Sequence, residues 1–174
     1  MTLPRLSLVL GGAACGKSAF AEGLVKSVSV NPTYIATSQV FDDEMAAKVA
    51  AHRQMRGADW TTIEEPLDIA SALAKAPSGA PVLIDCATLW LTNVILGEHD
   101  LDTAQKAFLN AISNASRPVV VVSNETGQGI VPENALARRF RNAQGRLNQD
   151  IAARADLVVV VMAGLPMVLK GQLP

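Results

Sequence analysis

"LVLGGAACGKSAF", residues 8–20, sets an apolar run ahead of the pattern G-x-x-x-x-G-K-[ST], here Gly11-Gly12-Ala13-Ala14-Cys15-Gly16-Lys17-Ser18. Glycines permit the tight turn that points successive backbone N–H groups at phosphate oxygens. Lys17 sets a cation beside the β- and γ-phosphates, and the Ser18 hydroxyl is a Mg²⁺ ligand. With glycine at roughly 7% of residues, a chance match in a chain of this size is below about one in a hundred. The alternative is an ordinary glycine-rich turn between a strand and a helix.

Working outward, short β-branched runs alternate with helical patterns. Strands are expected at Leu6–Leu10, Thr33–Ala36, Thr61–Ile63, Val82–Ile84, Val119–Val122 and Leu157–Val161. Runs such as "PVVVVS" are apolar without alternation, as expected of strands covered on both faces. Right-handed crossovers then give a mostly parallel sheet. A short strand near Met167–Leu169 is expected to run antiparallel at an edge. Helices are expected from Lys17 to about Lys26, over residues 42–56 ("DDEMAAKVAAHRQMR"), from about Asp102 to Ser113, and from near Pro132. Pro66–Lys75 and Thr88–Leu96 also read as helical. Leu136, Phe140, Leu147 and Ile151 form one buried stripe on the Pro132 helix. The fold class is therefore α/β: a P-loop NTPase-like three-layer sandwich with helices on both faces. No repeat or linker interrupts it, so residues 1–174 read as one nucleotide-binding catalytic domain.

Composition fits that reading. Of 174 residues, 49% are hydrophobic and 18% charged, and the formal net charge is −1. Near-neutral charge removes the electrostatic case for nucleic acid or an anionic membrane surface. The apolar stretch Leu157–Leu169 is too short to span a bilayer and is broken by Gly164 and Pro166, so no stable membrane insertion is expected. Cys15 and Cys86 show neither metal-ligand spacing nor a disulfide framework. With no secretory signal at the N-terminus, a cytoplasmic protein is expected.

Two further features carry chemistry. "PVLIDC" ends an apolar strand on Asp85, the position from which a carboxylate completes Mg²⁺ binding with Ser18. In the helix at 42–56, Met45, Val49, His52 and Arg56 fall on one stripe at 100° per residue. His52 reads either as a half-buried structural histidine or as a nucleotide-binding or nucleophilic imidazole flanked by Arg53 and Arg56. Guanidiniums grip phosphate oxygens in bidentate fashion and help keep a neighbouring imidazole neutral. His99, in "LGEHDLD", reads as solvated. Arg138, Arg139 and Arg141 in "RRFR" read equally well as a phosphate or subunit contact and as a solvated helix face. Asn124 and Glu125, just past a strand's C-terminal end, lie where open α/β sheets bind ligands.

The chain resembles the bifunctional adenosylcobinamide kinase/adenosylcobinamide-phosphate guanylyltransferase family of cobalamin biosynthesis. The resemblance rests on "GGAACGKS", "YIATSQVFDDEMAAKVAAHRQMRGADWTTIEEP", "LIDCATLWLTN" and "SNETGQGIVPENALARRFRNAQGRLNQDIAARAD" and covers almost the whole chain. It implies phosphorylation of the aminopropanol hydroxyl of adenosylcobinamide, then transfer of GMP from GTP to that phosphate through a guanylylated histidine. The products are adenosylcobinamide-GDP and pyrophosphate. His52 occupies the matching segment. Lys17 is the second catalytic residue, and GTP, ATP and Mg²⁺ are the implied cofactors. The resemblance carries nucleotide contacts onto Gly11 through Ser18, onto Thr37, Ser38 and Gln39, onto Arg53, Gln54, Met55 and Arg56, and onto Glu64 and Asp85. Glu64 is the implied guanine reader, with Glu65 beside it. It also implies a homotrimer. Ala14 and Cys15 stand where the family usually has arginine and serine, and "NETGQG" stands for "NEVGMG". Residue chemistry alone leaves two alternatives: a monofunctional small-metabolite kinase with a structural His52, or a GTP-binding switch. Only the bifunctional enzyme retains GMP covalently after denaturation.

Overall fold

The computed structural model describes residues 2–39 and 59–174. Among these, seven strands form one sheet: β1 (Leu6–Gly11), β2 (Thr33–Ala36), β3 (Thr61–Glu64), β4 (Val82–Asp85), β5 (Val119–Asn124), β6 (Leu157–Met162) and β7 (Leu165–Lys170). The order is β3-β2-β4-β5-β1-β6-β7, parallel throughout except for β7, which pairs antiparallel with β6. Helices among the described residues are α1 (Lys17–Lys26), α2 (Ile69–Lys75), α3 (Ala87–Leu96), α4 (Leu101–Ser113) and α5 (Ala135–Arg154).

The unalternating valine runs are explained by burial on two sides. Val119 and Val121 join a core built with α2, α3, α4 and α5, whereas Val120 and Val122 join a second core with α1; all four are fully buried. Leu6 and Leu8 share the first core and Val9 the second. The three-layer α/β sandwich expected from the sequence is thus present, including its antiparallel edge. The expected helix at 42–56 lies outside the described residues.

The helix expected from Pro132 begins instead at Ala135, because the Asn134 side chain accepts from Ala137 N at 3.1 Å and caps it there. Its expected stripe is buried only in its later turns. Leu147 and Ile151 are fully buried, whereas Leu136 is 47% exposed. Twenty helical residues span about 30 Å and six strand residues about 20 Å, so the first turns of α5 overhang the sheet at the strands' C-terminal edge.

Candidate functional site

The glycine loop joins the interior strand β1 to α1 and is fixed at both ends by backbone bonds. Glu125 N donates to Gly11 O at 3.0 Å, and Gly164 N, in the β6–β7 turn, donates to Cys15 O at 2.8 Å. Ala14 (φ 54°) and Gly16 (φ 94°) take the left-handed conformations of a tight turn. The N-terminus of α1 has no side-chain cap and no acidic residue in its first turn, so its amides and dipole stay open to an anion. Lys17 Nζ donates to Gly12 O at 2.9 Å, within reach of any phosphate the loop would cradle.

Asp85 ends β4, two strands from β1, and the intervening strand β5 ends on Asn124. Asp85, Asn124 and Gly11 therefore stand in that order along one edge. The Asp85 carboxylate accepts from the Tyr34 hydroxyl at 3.1 Å. Tyr34 lies two residues before Ala36, the register partner of Asp85, and so on the same face of the sheet. Asp85 and Ser18 are two hard oxygen donors. That set suits Mg²⁺, which keeps several waters and takes further oxygens from phosphate.

Buried polar groups hold this edge in place. Ser123 Oγ donates to Asn148 Oδ1 at 2.6 Å, Gln144 Nε2 donates to Ser123 Oγ and to Asn148 Oδ1 at 2.9 Å each, and Asn148 Nδ2 donates to Asn124 O at 3.0 Å. Asn124 N donates to Thr88 Oγ1 at 2.8 Å. A second clamp forms where Thr37 Oγ1 donates to Cys86 O and accepts from Cys86 N, both at 2.8 Å, while Asn93 Nδ2 donates to Thr37 O at 2.8 Å. Thr37 is fully buried, so its hydroxyl ties β2 to the start of α3. Cys86 caps α3 through its Sγ, which accepts from Leu89 N at 3.4 Å. Burial, reinforced by the neighbouring Asp85 charge, pushes this thiol up to about 11.

Lys17, Ser18 and the whole loop from Gly11 onward thus share the edge with Asp85. Ser38 and Gln39 follow Thr37, half-buried. Glu64 ends β3, separated from β1 by three strands, or roughly 19 Å across the sheet. Its neighbour Glu65 is engaged: Oε1 accepts from Leu67 N at 3.1 Å and Asp68 N at 2.9 Å. His52, Arg53, Gln54, Met55 and Arg56 lie outside the described residues. Arg138 donates to Pro132 O and Glu133 O, and Arg141 to Ile130 O and Gly127 O, so these guanidiniums hold the 127–133 loop. His99 is exposed, as expected.

Sequence reasoning missed Tyr34 and the Ser123–Gln144–Asn148 group. Gln144 and Asn148 had a legible signal. They stand four residues apart on the stripe of α5 that also carries Leu147 and Ile151, where two buried amides need polar partners.

The model of the cobinamide kinase / cobinamide phosphate guanyltransferase family matches residues 7–169. The bifunctional adenosylcobalamin biosynthesis protein CobP of Pseudomonas aeruginosa is 45% identical over 168 residues, covering 95% of this chain and 97% of that protein. The bifunctional adenosylcobalamin biosynthesis protein CobU of Salmonella typhimurium is 41% identical over 180 residues, covering 94% and 98%. Among solved structures, the type III secretion ATPase EscN of enteropathogenic E. coli matches with a TM-score of 0.59 at 11% identity, over 92% of this chain and 43% of that one. The RadB recombinase matches at 0.51 and 14% identity, over 99% and 84%. At these identities the structural likeness bears on the fold alone.

Proposed function

The chain belongs to the cobinamide kinase / cobinamide phosphate guanyltransferase family, and we propose on that premise that it catalyses both reactions from one domain spanning residues 1–174. It is a kinase and a nucleotidyltransferase. Its substrates are adenosylcobinamide, adenosylcobinamide phosphate and a purine nucleoside triphosphate, ATP or GTP for the first reaction and GTP for the second. The observation that carries this reading is the loop itself. Its open amides, uncapped helix terminus and Lys17 lie along one edge with a carboxylate positioned by Tyr34.

In the first reaction the substrate hydroxyl oxygen attacks the γ-phosphorus. An O–P bond forms, the bridging bond to the β-phosphate breaks, and its electron pair leaves on the nucleoside diphosphate while the hydroxyl proton passes to solvent. Lys17 exchanges its bond to Gly12 O for one to phosphate, and the loop amides from Gly11 to Ser18 fix the chain in line. Mg²⁺, held by Ser18 and Asp85, would neutralise developing charge. Thr37 acts through Cys86 as a positioning residue, with Ser38 and Gln39 following it toward the nucleotide.

In the second reaction the His52 imidazole attacks the α-phosphorus of GTP and pyrophosphate leaves. A phosphate oxygen of adenosylcobinamide phosphate then attacks the guanylyl phosphorus, the N–P bond breaks, and neutral His52 is restored. Arg53, Gln54, Met55 and Arg56 accompany His52 as nucleotide contacts. Glu64 is the guanine reader: a carboxylate can accept from two N–H groups on that base. A nucleotide gripped at the loop reaches Glu64 only by extending along the edge across β5, β4 and β2. No helix among the described residues is long and apolar enough to cross a membrane. A cytoplasmic homotrimer completes the proposal.

The test is incubation with Mg²⁺ and GTP labelled at the α-phosphate, followed by denaturation. Label that survives, is lost in mild acid and persists in base marks a phosphoramidate, and His52→Ala should abolish it. Absence of label on folded, GTP-binding protein would leave a simple kinase.

A further inference from the structure

A groove of about 440 Å³ opens beside the glycine loop, between the end of α3, the 126–134 loop and the first turns of α5. That volume lies within the range of small-molecule sites. Its apolar lining includes Ile95, Leu96, Ile130, Leu136 and Phe140. Ile130 is 96% exposed, Leu96 61% and Leu136 47%, with Val131 beside them at 66%. Apolar side chains clustered in water on a loop fixed by two guanidiniums mark a surface shaped for a ligand.

The polar groups of the lining narrow the ligand's chemistry. Thr92 Oγ1 donates to Thr88 O, Asn134 caps α5, and Arg141 holds Ile130 O and Gly127 O. Each of these is engaged with backbone, and apolar side chains make up most of the wall. Thr126 Oγ1 is buried with no hydrogen-bond partner among the described residues. Position narrows it further. Thr126 follows Glu125, whose N–H bonds Gly11 O at 3.0 Å, so the groove begins one residue beyond the one that is bonded to the phosphate loop's first glycine.

We propose that this groove binds the body of the phosphoryl acceptor, seating the apolar rim of a corrinoid macrocycle on Ile95, Leu96, Ile130, Leu136 and Phe140. Thr126 Oγ1 meets one of its amide arms, and the arm bearing the hydroxyl lies over the glycine loop. This assignment rests on the function proposed above and adds where the acceptor sits. A second copy of this chain is the competing occupant.

The experiment compares wild type with Ile130→Asp and Leu136→Glu. Both side chains are already partly or wholly in water, so folding is undisturbed, and Val30→Asp, exposed elsewhere at 82%, serves as control. The groove variants should raise KM for adenosylcobinamide roughly tenfold or more, leaving nucleotide affinity and guanylylation by labelled GTP unchanged; the control should leave all three unchanged. An unaltered KM in both groove variants overturns the proposal. So does a change confined to oligomeric mass by sedimentation, which would assign the groove to a second copy. Failure of wild type to turn over adenosylcobinamide at all would overturn the functional reading instead, and the two failures are distinct.

Discussion

The Tyr34 hydroxyl donates to the Asp85 carboxylate at 3.1 Å, joining β2 to the strand end that supplies the carboxylate of the proposed Mg²⁺ donor set. Tyr34 is buried against Trp60, edge to face, with ring centroids 5.9 Å apart, so its ring is fixed independently of that bond. Tyr34→Phe should keep the fold and leave Asp85 less well oriented. We expect the Mg²⁺ concentration for half-maximal kinase activity to rise about three- to tenfold, in line with loss of one hydrogen bond to a charged group. Asp85→Asn should cost more, and the Mg²⁺ titration of each variant checks both.

Gly11 has no room for a side chain. A Cβ there would overlap Cys15 Sγ and lie 2.6 Å from Val161 O. Gly11→Ala should destabilise the protein by about 1–3 kcal/mol and weaken nucleotide binding more than Gly12→Ala, where the space is open. Adding Cys15→Ala should recover only part of the loss, since the clash with Val161 O remains. Thermal melts with and without nucleotide measure this.

Asn148→Ala removes acceptors from Ser123 Oγ and Gln144 Nε2 and the donor to Asn124 O, all buried or half-buried. Stability should fall by about 2–4 kcal/mol, read by urea unfolding. Kinase activity at temperatures where the variant stays folded should fall as well, because Asn124 stands between the loop strand and Asp85.

Cys86 gives a pH signature. Its thiol is raised from 9.0 to about 11 by burial and the Asp85 charge. The native state therefore holds this proton where the unfolded chain has lost it. The stabilisation is complete below about pH 9 and is lost as pH rises toward 11, on the order of 2 kcal/mol. Cys86→Ser retains a capping oxygen for Leu89 N and should flatten that part of the stability profile relative to wild type. Native alkylation at neutral pH should modify half-exposed Cys15 and spare Cys86, as read by mass spectrometry.

The parallel core was legible because two-sided burial writes itself as unbroken valine, and the loop because its glycines and lysine are fixed by phosphate geometry. The place of Asp85 at the end of β4 was legible from the apolar run it ends. Tyr34 was not, because its role depends on the β2–β4 register, which no local pattern encodes. The overhang of α5 was missed for a related reason. Leu136 fits the helical stripe perfectly well, but the strands beneath that stripe stop short. Arg138 and Arg141 could not be assigned from the sequence, since a guanidinium that fixes a loop and one that meets solvent occupy identical helix positions.

The interior place of β1, between β5 and β6, has a consequence for how the molecule comes into being. Leu6 through Gly11 are synthesised well before their hydrogen-bonded neighbours, residues 119–124 and 157–161. Leu6 N and Leu6 O are both closed by Asp156, and the loop's far end waits for Gly164. Chains truncated before residue 119 therefore carry the whole nucleotide-binding motif in a strand without partners on either side. Such chains should neither bind nucleotide nor resist proteolysis. Nucleotide binding therefore becomes possible only once residue 164 has been made, and pairings this distant make for slow folding.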